Sequence, residues 1–165
     1  MKKRMTFAVA IAFGLALAVF VGTAQAQMAK SGSFEGVFPW SSYGEATEST
    51  NGSSSWHGGF NGGFVNNAGS GFLHEAGITC PAAGATVGGR QFYQGSCTVT
   101  DADGDQAMLI WNCEMQADGA CPGPQTWVAG TGKYEGISGK MTFEGRFIGE
   151  TPQGISYWKG EWKLP

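Results

Sequence analysis

Three aspartates at alternate positions are the side chains whose spacing most resembles a metal site. Asp101, Asp103 and Asp105 stand two residues apart in the string DADGD, and alternate carboxylates can converge on a hard cation such as calcium. The EF-hand pattern fails here, because its glycine comes two positions early and Asn112 stands where the bidentate glutamate belongs. We therefore interpret DADGD as an acidic hairpin turn built on Gly104, and we predict no metal site.

His74 is the residue whose type and position could do acid–base chemistry. Apolar and polar residues alternate along FLHEAGITC, residues 72–80, so a strand here would place His74 on the same face as Phe72 and Ile78. A buried neutral imidazole can act as an acid–base catalyst or anchor a ligand. The preferred interpretation is a core histidine, since no second catalytic group can be placed beside it. His57, in a glycine-rich stretch, is interpreted as a loop residue.

Phosphate-binding and nucleophilic chemistry lack their usual motifs in this chain. The string GTGK is followed by Tyr134 rather than by Ser or Thr, and no helix is predicted after it, so it is not a Walker loop. The GxSxG motif of serine hydrolases is absent, and so is the CxxC spacing of zinc ribbons and thioredoxins. We predict no cofactor, and we leave open whether the protein is an enzyme.

The four cysteines predict disulfides rather than a reduced metal site. They are Cys80, Cys97, Cys113 and Cys121, and an even number in an exported chain is typical of oxidised pairs. Cys113 and Cys121 enclose seven residues rich in turn formers, EMQADGA, which favours a local bridge between them. Cys80 would then pair with Cys97, although four cysteines allow three connectivities.

The start of the chain resembles a cleaved signal peptide, residues 1–26. Lys2, Lys3 and Arg4 are followed by an uncharged apolar run from Met5 to Gly22, and then by the small residues of a signal-peptidase site, Ala24-Gln25-Ala26. An apolar run of this length can just span a bilayer, so a retained anchor is the alternative. The abundance of Ala and Gly and the cleavage motif favour the signal peptide, and hence a periplasmic or secreted protein.

The remaining chain, residues 27–165, has a length that suits one domain. Without the three basic residues of the leader, the 10 Lys and Arg fall to 7 against 13 Asp and Glu, a net charge of −6. Such a chain is a poor partner for nucleic acid, and after signal cleavage we expect no membrane association. Self-association into a homo-oligomer stays open. The unusual abundance of glycine, interleaved with aromatic residues, is typical of short β-strands joined by tight turns.

The clearest strand patterns lie near the end of the chain. Apolar and charged side chains alternate in KMTFEGRFI, residues 140–148, and in SYWKGEWKL, residues 156–164, and this period of two marks half-buried strands. Upstream, CTVT and QAMLIWNC flank the acidic turn as a predicted hairpin. RQFYQ leads into this hairpin, and QTWVA leaves it toward a second reversal.

The first half of the chain has weaker patterns. FEGVFPW alternates, but Pro39 cannot donate to a ladder, so we expect this strand to end there or to lie at an edge. Residues 41–55 predict a second strand broken by the Asn51-Gly52 turn. The glycine-rich residues 56–71 fit either a hairpin or a mobile loop, and residues 81–89 predict a loop.

About eight short strands without a helix predict an all-β fold, either a sandwich or a closed antiparallel barrel. The hydrophobic final strand favours closure, because an open edge there would invite aggregation.

A family resemblance supports the barrel. GTGKYEGISG, residues 130–139, resembles the glycine turn of the allene oxide cyclase and dirigent barrel superfamily. The strings CTVTDADGD and GFLHE and the closing pattern GxWxLP are similar to those of exported bacterial members. The resemblance covers most of residues 33–165 and implies an eight-stranded antiparallel barrel with an apolar lumen. The catalytic residues of the family cannot be matched to positions in this chain.

Two functions are compatible with these predictions. The first is an exported barrel that binds a small apolar molecule in its lumen or has a structural role, and the second is a lumen enzyme of the cyclase or isomerase type. Several of the six tryptophans are expected to line the lumen. The predicted ligand-binding residues are Phe72, His74, Trp111, Phe143, Trp158 and Trp162.

Overall fold

The computed structural model of the protein describes residues 29–49 and 52–165, so the predicted signal peptide lies outside the described residues. No helix in these ranges is long and apolar enough to cross a membrane. The described chain forms eight strands and one short 3₁₀ turn. They are β1 (Ser31–Glu48), β2 (Ser54–Asn66), β3 (Ala76–Val87), β4 (Arg90–Thr100), β5 (Gln106–Glu114), β6 (Cys121–Gly130), η1 (Gly132–Tyr134), β7 (Lys140–Phe147) and β8 (Gln153–Lys163).

The strands close an antiparallel barrel in chain order. Each strand pairs with the next, and β8 pairs back with β1, from Ser31 opposite Lys163 to Ser41 opposite Gln153. The prediction of an all-β fold with a closed antiparallel barrel of eight strands is confirmed. Closure satisfies the strand edges that an open sheet would expose.

Two predictions about prolines were wrong. Pro39 does not end the first strand, and residues 81–87, expected in a loop, belong to β3. Pro39 pairs with Ile155 of β8 but lies at an interruption of the β1–β2 ladder, and Pro81 pairs with Gly59 of β2 but lies at an interruption of the β3–β4 ladder. Each proline therefore sits where a missing N–H does not cost a ladder bond.

The glycine-rich segment and the start of FLHEAGITC also differ from the predictions. Residues 56–66 form one continuous strand, β2, and not a hairpin or a loop, and residues 72–75 form a turn before β3 begins at Ala76. In the facing strand β1, a glycine also makes room for an aromatic ring of β2. A Cβ on Gly36 would overlap the ring of Phe64 on the neighbouring strand, so glycine there lets the ring cover the strand.

The interior of the barrel is largely aromatic. Along each strand the inward residues alternate with exposed ones, as in β7, where Met141 and Phe143 are buried and Lys140 and Thr142 are exposed. The buried aromatic residues are Phe34, Phe38, Trp40, Phe64, Phe72, Trp111, Trp127, Tyr134, Phe143, Trp158 and Trp162.

Candidate functional site

One end of the barrel is closed by the loop between β2 and β3. This plug loop, residues 67–75, brings Phe72 over the interior, where its ring stacks on Trp162 with 4.4 Å between centroids and 4° between planes. Phe34, Trp127 and Tyr134 surround the Phe72 ring at centroid distances of 5.2, 5.8 and 6.0 Å. We call this the plugged end of the barrel.

The plug loop is held by buried hydrogen bonds and by its backbone conformation. Asn66 Nδ2 donates to the Phe72 carbonyl at 3.0 Å, and Asn66 Oδ1 accepts from the Ala68 N–H at 2.9 Å. Leu73 (φ 54°) and Glu75 (φ 58°) lie in the left-handed region that residues other than glycine rarely adopt. Because Leu73 is only 2% exposed, its packing maintains this conformation against the backbone strain.

The opposite end of the barrel contains a half-enclosed cavity. It lies where β5 and β7 end and where β4 and β6 begin, and its free volume is about 60 Å³. We call this the open end of the barrel. The aromatic wall of the cavity consists of Phe38, Trp40, Phe60, Tyr93, Trp111, Phe143, Phe147 and Trp158.

The rings of this wall meet mostly edge to face. Trp40 contacts Phe60 and Phe147 with 4.9 Å between centroids in each case. Trp111 contacts Phe60 at 6.0 Å and Phe143 at 5.6 Å. Edge-to-face pairs stabilise each other by about 0.5–1.5 kcal/mol beyond the burial of their area, so the wall is pre-formed.

Only a few polar groups face this cavity. The Trp40 indole Nε1 donates to Ser156 Oγ at 3.0 Å, so both groups are satisfied within the protein. Trp111 Nε1 and Gln125 Oε1 are buried and have no hydrogen-bond partner in the structure. Trp111 and Gln125 stand directly opposite each other across β5 and β6, and both line the cavity.

Both disulfides also line the cavity, and both predicted pairs are confirmed. Cys80 is bonded to Cys97, and Cys113 is bonded to Cys121. The first bridge links β3 to β4, and the second links the end of β5 to the start of β6. The bridges therefore fix the wall of the cavity on the side of these four strands.

The lining residues offer little for proton transfer. Tyr93 and Arg146 are the titratable residues among the described residues that line the cavity, because the cysteines there are in disulfides and do not titrate. Burial raises the pKa of the Tyr93 hydroxyl, so it is neutral at physiological pH. Arg146 Nη2 donates to Glu144 Oε1 at 2.6 Å, and this hydrogen bond raises the pKa of the exposed guanidinium.

The predicted ligand-binding residues are divided between the two ends. Trp111, Phe143 and Trp158 line the cavity, whereas Phe72 and Trp162 stack on each other at the plugged end. Their roles in ligand binding stay predictions.

His74 lies in the plug loop and not among the residues that line the cavity. Its side chain is 20% exposed, with Nε2 at 3.8 Å from Glu75 Oε1. Its Nδ1 is buried without a partner. A role for His74 in acid–base chemistry or ligand anchoring stays a prediction.

Sequence reasoning missed the polar side chains of the cavity, although the alternation contained a signal for them. Gln125 shares a face with the buried Trp127 in QTWVA, and Ser156 shares a face with Trp158 in SYWKGEWKL. A polar residue at an apolar position of a strand is buried among apolar neighbours. Both residues are buried as this period requires.

The acidic turn is confirmed as a hairpin turn, and a lysine lies at its centre. The Gly104 N–H donates to the Asp101 carbonyl at 3.0 Å. Lys133 Nζ lies 2.6 Å from Asp101 Oδ2 and 2.5 Å from Asp103 Oδ2, and the Lys133 N–H donates to Asp105 Oδ2 at 3.1 Å. The described residues contain no group of three or more His, Cys, Asp and Glu that could hold a metal ion.

Lys133 affects the pKa of one carboxylate of the acidic turn, Asp101. Burial acts to raise the pKa of Asp101, but hydrogen bonds from Lys133 and from the Tyr134 hydroxyl outweigh it and lower this pKa. The hydrogen bonds to Asp101 and Asp103 raise the pKa of Lys133. For Tyr134, burial followed by the hydrogen bond to Asp101 raises the pKa of the hydroxyl. The cluster is therefore a structural ion pair that joins the acidic turn to η1.

Comparison with solved structures shows that the closed eight-stranded barrel is similar in fold to a dirigent protein. The structure is similar to that of the pterocarpan synthase dirigent protein GePTS1, with a TM-score of 0.52 and 8% sequence identity over 84% of this chain and 88% of that chain. At this identity the similarity shows the fold alone. A scan against protein-family models finds no match, and a search of curated proteins finds none either.

Proposed function

We propose that the protein binds a small, mainly apolar molecule at the open end of its barrel. The observation that carries this proposal is the cavity, whose wall is built mostly from aromatic side chains and two disulfides. The wall of the cavity is apolar and pre-formed, so an apolar ligand that displaces water from it is stabilised by the burial of apolar surface. The barrel type is compatible with such a role, since eight strands leave an interior that can hold one small ligand.

The size of the cavity limits the ligand. Its free volume of about 60 Å³ is smaller than the roughly 150 Å³ of an engineered cavity that binds benzene. Only one end of a ligand can therefore enter fully. The remainder must lie at the open end, where Phe60 and Tyr93 offer partly exposed aromatic surface.

Binding without turnover is supported by the chemistry of the lining residues. General acid–base catalysis requires a titratable group within hydrogen-bond reach of the reacting atoms. Asp, Glu and His are absent from the described residues that line the cavity. We therefore prefer a binding protein to the second predicted function, a cyclase or isomerase, and a reaction screen on any ligand found decides between them.

The test is calorimetric titration of the folded protein, residues 27–165, with ethylbenzene as a small apolar probe. Binding at one site per chain is expected, with a negative heat-capacity change that reports burial of apolar surface. Gly145→Val should abolish binding, because Gly145 lines the cavity and the larger side chain fills it.

Gly77→Val is the matched control. It adds the same side chain to an exposed strand position where a Cβ would meet only the Thr100 carbonyl oxygen, at 3.9 Å, and it should leave binding intact. Circular dichroism verifies that both variants fold. Absence of a binding heat with wild-type protein, or equal binding by the two variants, would refute the proposal.

We also propose that the protein is exported to the periplasm or secreted, and that it belongs to an exported bacterial group within the dirigent-type barrels. Both disulfides form in the structure, and such bonds persist in oxidising compartments. The leader-like residues 1–26 supply the export signal. Intact mass spectrometry of protein from the periplasm or the medium should give a chain that begins at Gln27, and a full-length mass in the membrane fraction would contradict export.

A further inference from the structure

Two buried polar atoms in the cavity wall lack a partner within the protein. Trp111 Nε1, an N–H donor, and Gln125 Oε1, a carbonyl acceptor, are both completely shielded from solvent and make no hydrogen bond. The whole residues are 9% and 3% exposed. A buried polar group without a partner costs about 1–3 kcal/mol, so two such atoms in one wall need an explanation.

The two atoms belong to side chains that are neighbours on one face of the barrel. Trp111 and Gln125 are directly paired across β5 and β6, and side chains of such a pair have their Cβ atoms about 4.5–5.5 Å apart. Both residues line the cavity. Both side chains therefore belong to one patch of the cavity wall.

The neighbouring polar groups show why this pair differs from the rest of the wall. Trp40 Nε1 and Ser156 Oγ also line the cavity, but they bond to each other at 3.0 Å. Trp127 Nε1 and His74 Nδ1 are unpartnered too, but neither residue lines the cavity. Trp111 and Gln125 alone, among the described residues, combine an unsatisfied donor and an unsatisfied acceptor at the cavity wall.

We propose that Trp111 and Gln125 form a recognition pair for a single neutral hydroxyl group on the otherwise apolar ligand. The inference rests on the proposed function and names the ligand class within it. The hydroxyl oxygen accepts a hydrogen bond from Trp111 Nε1, and the hydroxyl proton is donated to Gln125 Oε1. A hydroxyl fits because it supplies an acceptor and a donor on one atom.

Charged ligand groups fit this pair poorly. A carboxylate or phosphate would leave Gln125 Oε1 facing a negative oxygen without a proton, and an ammonium would leave Trp111 Nε1 without an acceptor. The nearest full charge among the lining residues, Arg146, is exposed and bonded to Glu144. An ion in this apolar wall would lose its hydration without an opposite charge to replace it. The ligand is therefore an uncharged alcohol with an apolar body.

The experiment compares two probes that differ only in the proposed group. Benzyl alcohol and ethylbenzene have nearly the same shape, with a hydroxyl in the first where the second has a methyl. Their dissociation constants are measured by calorimetry on the wild-type domain and on Gln125→Met, which keeps the length of the side chain and removes its amide. The ratio of the two constants is compared between wild type and variant, and this comparison cancels the general difference in hydrophobicity between the probes.

Gln125→Met should shift this ratio about tenfold against benzyl alcohol, which corresponds to one or two hydrogen bonds in a buried site. Trp111→Phe should shift it in the same direction while keeping an aromatic ring in the wall. Gln94→Met is the control, because Gln94 lies on the exposed face of β4, and it should leave the ratio unchanged.

The outcomes separate this inference from the proposed function. If neither probe binds the wild type, the binding proposal itself fails, and this inference fails with it. If both probes bind and Gln125→Met leaves the ratio unchanged, a small-molecule site exists but the recognition pair is refuted. That second result would mean that ordered water satisfies the two atoms. Should one of these two variants not fold, the other carries the test, because each of them removes one of the two proposed hydrogen bonds.

Discussion

The two ends of the barrel use the same kind of side chain in different ways. At the plugged end, Phe72 covers the interior and stacks on Trp162, so aromatic residues there pack against one another. At the open end, the rings of Trp40, Phe60 and Trp111 stand around about 60 Å³ of free volume. Aromatic content therefore does not by itself indicate a binding site. One further ring, supplied here by the plug loop, makes the difference between a packed interior and a cavity.

The two ends of the barrel also differ in the interactions that hold their structure. The plug loop contains two left-handed residues, Leu73 and Glu75, and is fixed by the side chain of Asn66. The open end is fixed instead by covalent bonds, since Cys80–Cys97 and Cys113–Cys121 both line the cavity. A wall around free volume lacks packing contacts on one side. At the open end the disulfides provide the rigidity that close packing provides at the plugged end.

Removing the plug should have the largest effect on stability. Phe72→Ala deletes a ring that contacts four other aromatic residues and should lower the free energy of unfolding by about 3–5 kcal/mol. Urea denaturation measures this change. Ethylbenzene affinity at the open end should stay within about twofold of wild type, since distant sites are usually independent.

Phe92→Ala is the control for this prediction. Phe92 is 36% exposed, and its loss should cost less than about 1 kcal/mol. A Phe72→Ala variant as stable as this control would contradict the structural role of the plug, and a large loss of ethylbenzene affinity would show that the two ends are coupled.

A methyl group at Gly154 should have a smaller effect, confined to the open end. A Cβ on Gly154 would overlap the Trp40 indole, so Gly154→Ala must displace this ring and strain its hydrogen bond to Ser156. Overpacking of this kind costs about 1–3 kcal/mol, and probe affinity should fall because Trp40 is part of the cavity wall. Thermal unfolding and calorimetry measure the two effects.

Gly63→Ala serves as the comparison for Gly154→Ala. A Cβ on Gly63 would lie 3.6 Å from the Ala76 carbonyl oxygen, which is ordinary contact, so stability and binding should both be retained. If Gly154→Ala behaves like Gly63→Ala, the Trp40 ring is not fixed by its close approach to the backbone, and the open end is less pre-formed than the structure indicates.

The smallest expected effect is the change of stability with pH that comes from the acidic turn, which lies beside the plugged end. Hydrogen bonds from Lys133 and Tyr134 lower the pKa of Asp101 despite its burial. A lowered pKa means that this carboxylate stabilises the fold above its unfolded pKa, near 3.8, and that the contribution is lost as the pH falls through the folded pKa. The effect should be about 1 kcal/mol or less, because the lysine is partly exposed.

Thermal unfolding between pH 6 and pH 2 tests this. Asp101→Asn should lose less stability over that range than wild type, and Lys133→Met should reproduce the shallower profile because it removes the group that lowers the pKa. Parallel profiles for wild type and both variants would show that the ion pair contributes nothing to acid stability. The open end should be unaffected, so probe affinity of these variants serves as the control.

The sequence predicted the regular part of this molecule and missed the parts that depend on tertiary contact. The alternation in β7 and β8 and the Asp103-Gly104 turn are local properties, and the structure contains them. The strand character of residues 81–87 was missed because Pro81 is compatible with a ladder only where pairing on one side is interrupted. That interruption depends on β4, which the local sequence does not include.

The candidate site was predictable to the same extent. The period of two placed Trp111 and Phe143 on inward faces, and both line the cavity. The same rule placed Phe72 and His74 on the inner face of a strand, whereas both lie in the plug loop. The free volume of the cavity could not be predicted from the sequence, because it is a small difference between the volume that eight strands enclose and the volume that their side chains fill.

Lys133 neutralises the acidic turn independently of the ion concentration of the medium. A bound calcium ion would have to be supplied by the medium at a level above its dissociation constant, and dilution would remove it. Lys133 Nζ is joined to the chain and lies beside Asp101 and Asp103 whatever the surrounding solution contains. The turn therefore keeps its neutralising cation in a medium without divalent ions, and chelators such as citrate should not loosen it.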